Sequence, residues 1–95
     1  MSLNNYRDEA GEFLKIIGVK NDMSDTQKVN MLEEEFNILK EVMDNPDRLK
    51  HQIYDMLFIL FEIASAHQFD LESEWNEGRK RKEEKYISAS KNNKS

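Results

Sequence analysis

The sequence predicts an all-α protein, a four-helix bundle that oligomerises through its third helix. Two observations carry this reading. Only three Gly and one Pro interrupt the 95 residues, and apolar residues recur at spacings of three and four, with no sustained alternation of period two. The segment Met56-Leu57-Phe58-Ile59-Leu60-Phe61 is apolar at every position, so a helix through it is hydrophobic all round and needs cover on more than one side. A chain of 11.3 kDa buries only about 60–70% of the surface its unfolded form exposes. Part of the cover is therefore expected from a second subunit, in a homodimer or tetramer.

The first helix is expected from about Asn4 to Ile17, with Tyr6, Phe13, Leu14 and Ile17 as its apolar side and Gly18 as its stop. Gly11 inside it either costs about 1 kcal/mol relative to Ala or marks a close helix contact. Ser24 followed by Gln27 is a capping-box signature for the second helix. That helix is expected to reach about Asp44, with Leu32, Phe36, Leu39 and Met43 as one buried stripe. Asn45 caps a third helix with Pro46 at its first position, running to about Ala66. Asp70 caps a fourth, holding Leu71, Trp75, Lys82 and Tyr86. Residues 1–87 then form one domain, and the polar residues 88–95 a disordered tail. No internal repeat or linker is visible.

Composition narrows the chemistry. The absence of Cys excludes disulfides, thiolate-bound zinc, thiol catalysis and iron–sulfur clusters. The longest apolar run is far short of the roughly 20 residues that span a bilayer, and no signal-peptide pattern opens the chain; the expectation is a cytoplasmic protein without membrane contact. His51 and His67 lie near opposite ends of the third helix, too far apart to share a metal. No Gly-rich phosphate loop or Ser/His/Asp order appears, and the five Met are expected as core filler. Charge is uneven: residues 1–76 carry a net −9 and residues 77–95 a net +4. The overall −5 argues against a nucleic-acid partner, although Arg79–Lys85 is a basic segment.

Two acidic strips could carry chemistry. Glu34, Asn37 and Glu41 share one side of the second helix, and Gln52, Asp55 and Glu62 form a polar line on the third. A charge at Asp55, directly before the apolar run, requires a partner or a cation. Facing one another across antiparallel helices, these oxygens would suit Mg²⁺ or Mn²⁺. Solvated glutamates and an aspartate paired with a basic residue are the other outcome of the same spacing.

The order Leu32-Glu33-Glu34-Glu35-Phe36-Asn37-Ile38, Gln52-Ile53-Tyr54-Asp55-Met56-Leu57-Phe58 and Phe69-Asp70-Leu71-Glu72 resembles the MazG-like nucleotide pyrophosphohydrolases. These belong to an all-α superfamily with dimeric dUTPases and phosphoribosyl-ATP pyrophosphohydrolase. The family pattern is Glu-Glu-x-x-Glu on one helix and Glu-x-x-Asp on the next, then an apolar run and a turn. The resemblance implies Mg²⁺ held by Glu34, Asn37, Gln52 and Asp55, where the family usually has four carboxylates; Asn37 and Gln52 depart from it. It implies Glu33 or Glu35 as the base for an attacking water, and Trp75, Arg79, Lys82 and Lys85 as contacts to the substrate. The implied activity is house-cleaning hydrolysis of nucleoside triphosphates to monophosphate and pyrophosphate. The alternative is a catalytically weakened or inactive nucleotide-binding or structural homo-oligomer of the same fold.

Overall fold

In the computed structural model, which describes residues 2–17 and 24–88, four helices follow one another. They are α1 (Leu3–Ile16), α2 (Asp25–Glu41), α3 (Pro46–His67) and α4 (Leu71–Lys82), the last continuing into a π-helical turn, Glu83–Ser88. No strand occurs among the described residues, and none of the described helices is long and apolar enough to cross a membrane.

The helix starts follow from their caps. Ser24 Oγ accepts from the Gln27 N–H at 3.2 Å, and Gln27 Oε1 accepts from the Ser24 N–H at 2.8 Å, the reciprocal arrangement that satisfies two orphan donors. Ser2 and Asn5 form a second such pair on α1. Asn45 Oδ1 accepts from the Arg48 N–H ahead of α3, and Asp70 Oδ1 from the Ser73 N–H ahead of α4. The ends differ more from expectation. α2 stops at Glu41, short of Asp44, because the Val42 N–H bonds to Leu39 and the Asn45 N–H to Val42, turning the chain early. Gln68 ends α3 in the left-handed region with φ 55°. Tyr86 belongs to the π-helical turn, which reaches Ser88 inside the expected tail. Gly18 and residues 89–95 lie outside the described residues.

α3 lies between α1 and α2 and runs antiparallel to both. Glu35 meets Gln52 and Asp25 meets His67 on one side; Phe13 meets Phe58, Tyr6 meets Phe61 and Arg7 meets Phe69 on the other. α1 and α2 therefore run parallel to each other, each packed on α3 and not extensively on one another. The approach of α1 depends on Gly11: a Cβ there would stand 2.0 Å from Ser65 Oγ, so the glycine marks a close helix contact. α4 docks on the start of α1.

The expected buried stripe of α2 is rotated. Its half-buried and buried positions are Lys28, Leu32, Glu35, Leu39 and Val42, at spacings of four, three, four and three, the period of a helix seam. Phe36 and Met43 are exposed instead. Within α1 the buried and half-buried positions are Leu3, Asn4, Arg7, Ala10, Gly11 and Leu14, while Tyr6, Phe13 and Ile17 keep large exposed areas. The hydrophobic residues buried among the described ones are Ala10, Val42, Ile59 and Ala64, a thin core. Methionine does not fill it: Met31 and Met43 are exposed and Met56 half-buried, while Met1 and Met23 lie outside the described residues.

Candidate functional site

The α2–α3 crossing carries the polar residues singled out by the sequence, arranged around Gln52. This side chain is only 6% exposed. Its Nε2 donates to the backbone carbonyl of Glu35 at 2.9 Å and also to the Glu35 carboxylate. Both partners are acceptors, so the amide nitrogen faces Glu35 and the amide oxygen faces away. Asp55, one turn further along α3, is half-buried and pairs with His51 at 3.5 Å.

The other predicted residues do not join this group. Glu35 occupies the seam of α2, and each neighbour in sequence is turned 100° away. Glu33, Glu34 and Asn37 are accordingly exposed. Among the described residues, no three His, Asp or Glu side chains form a group able to hold a metal ion. The α4 residues stand apart as well, because α4 begins beyond the C-terminal end of α3, roughly 22 Å along the axis from Gln52 at 1.5 Å per residue. Trp75 is 65% exposed. Arg79 pairs with Glu83 and Arg81 with Glu74 along the helix, Lys82 is exposed, and Lys85 Nζ lies 5.3 Å over the Tyr86 ring.

Charged side chains gather more closely in a cleft of about 720 Å³ between α1, α2 and the C-terminal half of α3. Its walls include Asp8 and Glu12 from α1, Lys28 from α2, and Glu62, Ser65 and His67 from α3. Lys28 is 5% and Glu62 7% exposed. Neither side chain makes a hydrogen bond or ion pair among the described residues, and since no buried side-chain polar atom there lacks a partner, their charged ends open onto the cleft and its solvent. Burial raises the Glu62 pKa above the ordinary carboxylate value, and the positive charge of Lys28 opposes the shift. Such an acid keeps its proton to higher pH than an exposed one, beside a cation able to receive an anionic or carbonyl oxygen. At the rim, His67 pairs with Asp25 and stacks on Phe69 with ring centroids 4.8 Å apart.

Glu62 belongs to the polar line of Gln52 and Asp55 that the sequence shows; Lys28 was not singled out. The signal for it is a charged residue at a seam position, four before Leu32 and eleven before Leu39. Comparison with known proteins adds no relative: no protein-family profile matches the chain, and neither a curated protein nor a solved structure does.

Proposed function

We propose that this chain is a nucleotide-binding helical protein on the MazG-like pyrophosphohydrolase plan, self-associating through α3, in which metal-dependent hydrolysis is weakened or lost. The observation that supports this is the Gln52–Glu35 pair. Two carboxylates at such a crossing repel and favour a cation between them; an amide donor facing one carboxylate removes that need. The implied ligand set of Glu34, Asn37, Gln52 and Asp55 does not fit Mg²⁺ in this arrangement. Glu34 and Asn37 are exposed, Gln52 presents a nitrogen to Glu35, and Asp55 is engaged by His51. Nucleoside triphosphates remain the ligand class, with Trp75, Arg79, Lys82 and Lys85 as the side chains for base and phosphates. Cytoplasmic residence belongs to the same reading.

The second reading is the full Mg²⁺- or Mn²⁺-dependent pyrophosphohydrolase. It is favoured by Glu35 and Asp55, two carboxylates flanking Gln52 on the same helix pair. One experiment separates the two: pyrophosphate release from a nucleoside triphosphate panel with Mg²⁺ or Mn²⁺, run on the parent and on Gln52→Glu, beside calorimetric nucleotide binding. Binding with little turnover is expected of the parent, and a gain of at least several-fold in Mg²⁺ affinity from the added charge in the variant. Efficient turnover by the parent would establish the second reading. Neither binding nor turnover would overturn both.

A further inference from the structure

We infer that the cleft between α1, α2 and the C-terminal half of α3 binds a small zwitterion of the α-amino acid class, with Lys28 taking its carboxylate and Glu62 its ammonium group. The site is separate from the α2–α3 crossing around Gln52 and from the α4 side chains, and it stands independently of the nucleotide reading. Its first support is the placement of two charges. Lys28 holds a seam position of α2. On α3, Gln52 faces α2 and Ser65 faces α1; at 100° per residue Glu62 falls in the arc between them. The two residues are only 5% and 7% exposed, yet their charged ends open onto the cleft. A charged side chain so placed loses rotamer freedom and much of its hydration, where an apolar residue would contribute packing. Glu35, the other charged residue of the α2 seam, is answered from within the chain by Gln52. No described residue answers Lys28 or Glu62 in that way, and a bound group of opposite charge would.

The rest of the wall sets the charge of the ligand. Asp8 is held by Arg7, and Asp25 by His67. Glu12 and Lys15, both exposed on α1, add one charge of each sign. The unengaged groups among the described walls therefore balance, and a simple cation or anion would satisfy one pole while leaving the other without a partner. A zwitterion satisfies both. Lys28 acts on the Glu62 carboxyl by its charge without forming an ion pair with it. The gap between them suits a ligand that accepts from an ammonium group and donates to a carboxylate. An α-amino acid carries these two functions on a single carbon, the shortest such bridge. The cleft of about 720 Å³ lies within the roughly 300–1,000 Å³ of small-molecule sites, which leaves room for the ligand's side chain beside Leu14 and Ala66.

The test follows backbone amide NMR shifts of the full chain, without nucleotide or metal, as each standard amino acid is added, with calorimetry for affinity. Saturable shifts at Gly11, Lys28 and Glu62, and little change at Glu35 and Gln52, are expected with at least one amino acid at a Kd of about 1 mM or lower. The corresponding decarboxylated amine and deaminated acid each keep one of the two charges and should bind at least about tenfold more weakly. Lys28→Met, which keeps the buried stem, should weaken the amino acid by a similar factor and leave the amine unchanged; Glu62→Gln should weaken the amino acid and leave the acid unchanged. Loss of folding cannot give that crossed pattern. No shift in the parent with any amino acid at about 10 mM would overturn the inference. So would binding of the deaminated acid or inorganic phosphate as tightly as the amino acid, which would make Lys28 a plain anion site, or equally tight binding of the amine, which would make Glu62 a plain cation site.

Discussion

α1 meets its neighbours through two polar regions of opposite construction. At its N-terminal end Leu3, Asn4 and Arg7 are each paired across to the start of α4 or the turn before it. Asn4 Nδ2 donates to Asp70 at 3.0 Å while its Oδ1 accepts from the Leu71 N–H at 2.8 Å, the Leu3 N–H donates to Glu72, and Arg7 donates to the Phe69 carbonyl at 2.6 Å. One flank further along, Lys28 and Glu62 line the cleft with no side-chain partner among the described residues, their charged ends facing its solvent. The carboxyls respond in opposite directions. Asp70 is exposed, yet the Asn4 amide and the Ser73 N–H hold its pKa below the ordinary value. Glu62 is enclosed, and burial pushes its pKa up in spite of Lys28. Burial sets the direction at Glu62, where the attraction of Lys28 only opposes it, and directed hydrogen-bond donors set it at exposed Asp70.

The largest expected effect comes from the contact that walls the cleft. Gly11→Val drives a branched side chain into Ser65, where even a Cβ meets Oγ at 2.0 Å. A loss of about 2–3 kcal/mol is expected, or roughly 10–20 °C in Tm for a domain of this size. A thermal melt within a degree of the parent would show that α1 and α3 do not approach so closely. Breaking the satisfied region is a smaller change. Asn4→Ala removes the bonds to Asp70 and to the Leu71 N–H, and a Tm several degrees lower is expected at pH 7. Because the folded pKa of Asp70 is depressed, its contribution is present above about pH 3.9 and lost as pH falls through the folded value. The variant should therefore lose less stability than the parent on acidification below pH 4; an unchanged acid limb would sever Asn4 from Asp70.

The smallest effect has the opposite sign. Glu62 has a raised folded pKa, so its stabilising contribution is complete below about pH 4.3 and is lost as pH rises through the folded value. At pH 7 the ionised form is a burden that Glu62→Gln relieves, and a Tm a few degrees above the parent is expected. The parent should also gain stability between pH 7 and about pH 4.5 on a limb that the variant lacks. A variant that melts lower than the parent at pH 7 would mean that attraction to Lys28 outweighs burial.

The helix starts were legible because capping is local: Ser24 with Gln27, Asn45 with Pro46, and Asp70 each act on backbone within one turn. The buried side of α2 was not. Its seam includes Lys28 and Glu35, so counting apolar residues alone rotates the stripe toward Phe36 and Met43. Three consecutive glutamates, Glu33 to Glu35, span 200° of helix surface, and only the position of Gln52 on α3 decides which of them turns inward. The polar line of Gln52, Asp55 and Glu62 was legible as a line, but its burial depends on where α1 and α2 lie. The lock between Asn4 and Asp70 joins residues 66 apart, a distance over which no local pattern carries information.

The short turn between α2 and α3 has a kinetic consequence. Glu35 and Gln52 are separated by 17 positions, so this helical hairpin closes through a small loop and needs little else to form. Ordering α1 against α3 joins residues such as Tyr6 and Phe61 across most of the chain, and the chain entropy lost is greater. Folding is expected to proceed from the hairpin outward, with α1 added after the main barrier. Gly11→Val should consequently lose its stability through faster unfolding while the folding rate stays nearly constant in stopped-flow measurements. The segment that completes the cleft is thus the one held most briefly, and opening of α1 alone removes one wall of the cleft that Lys28 and Glu62 line.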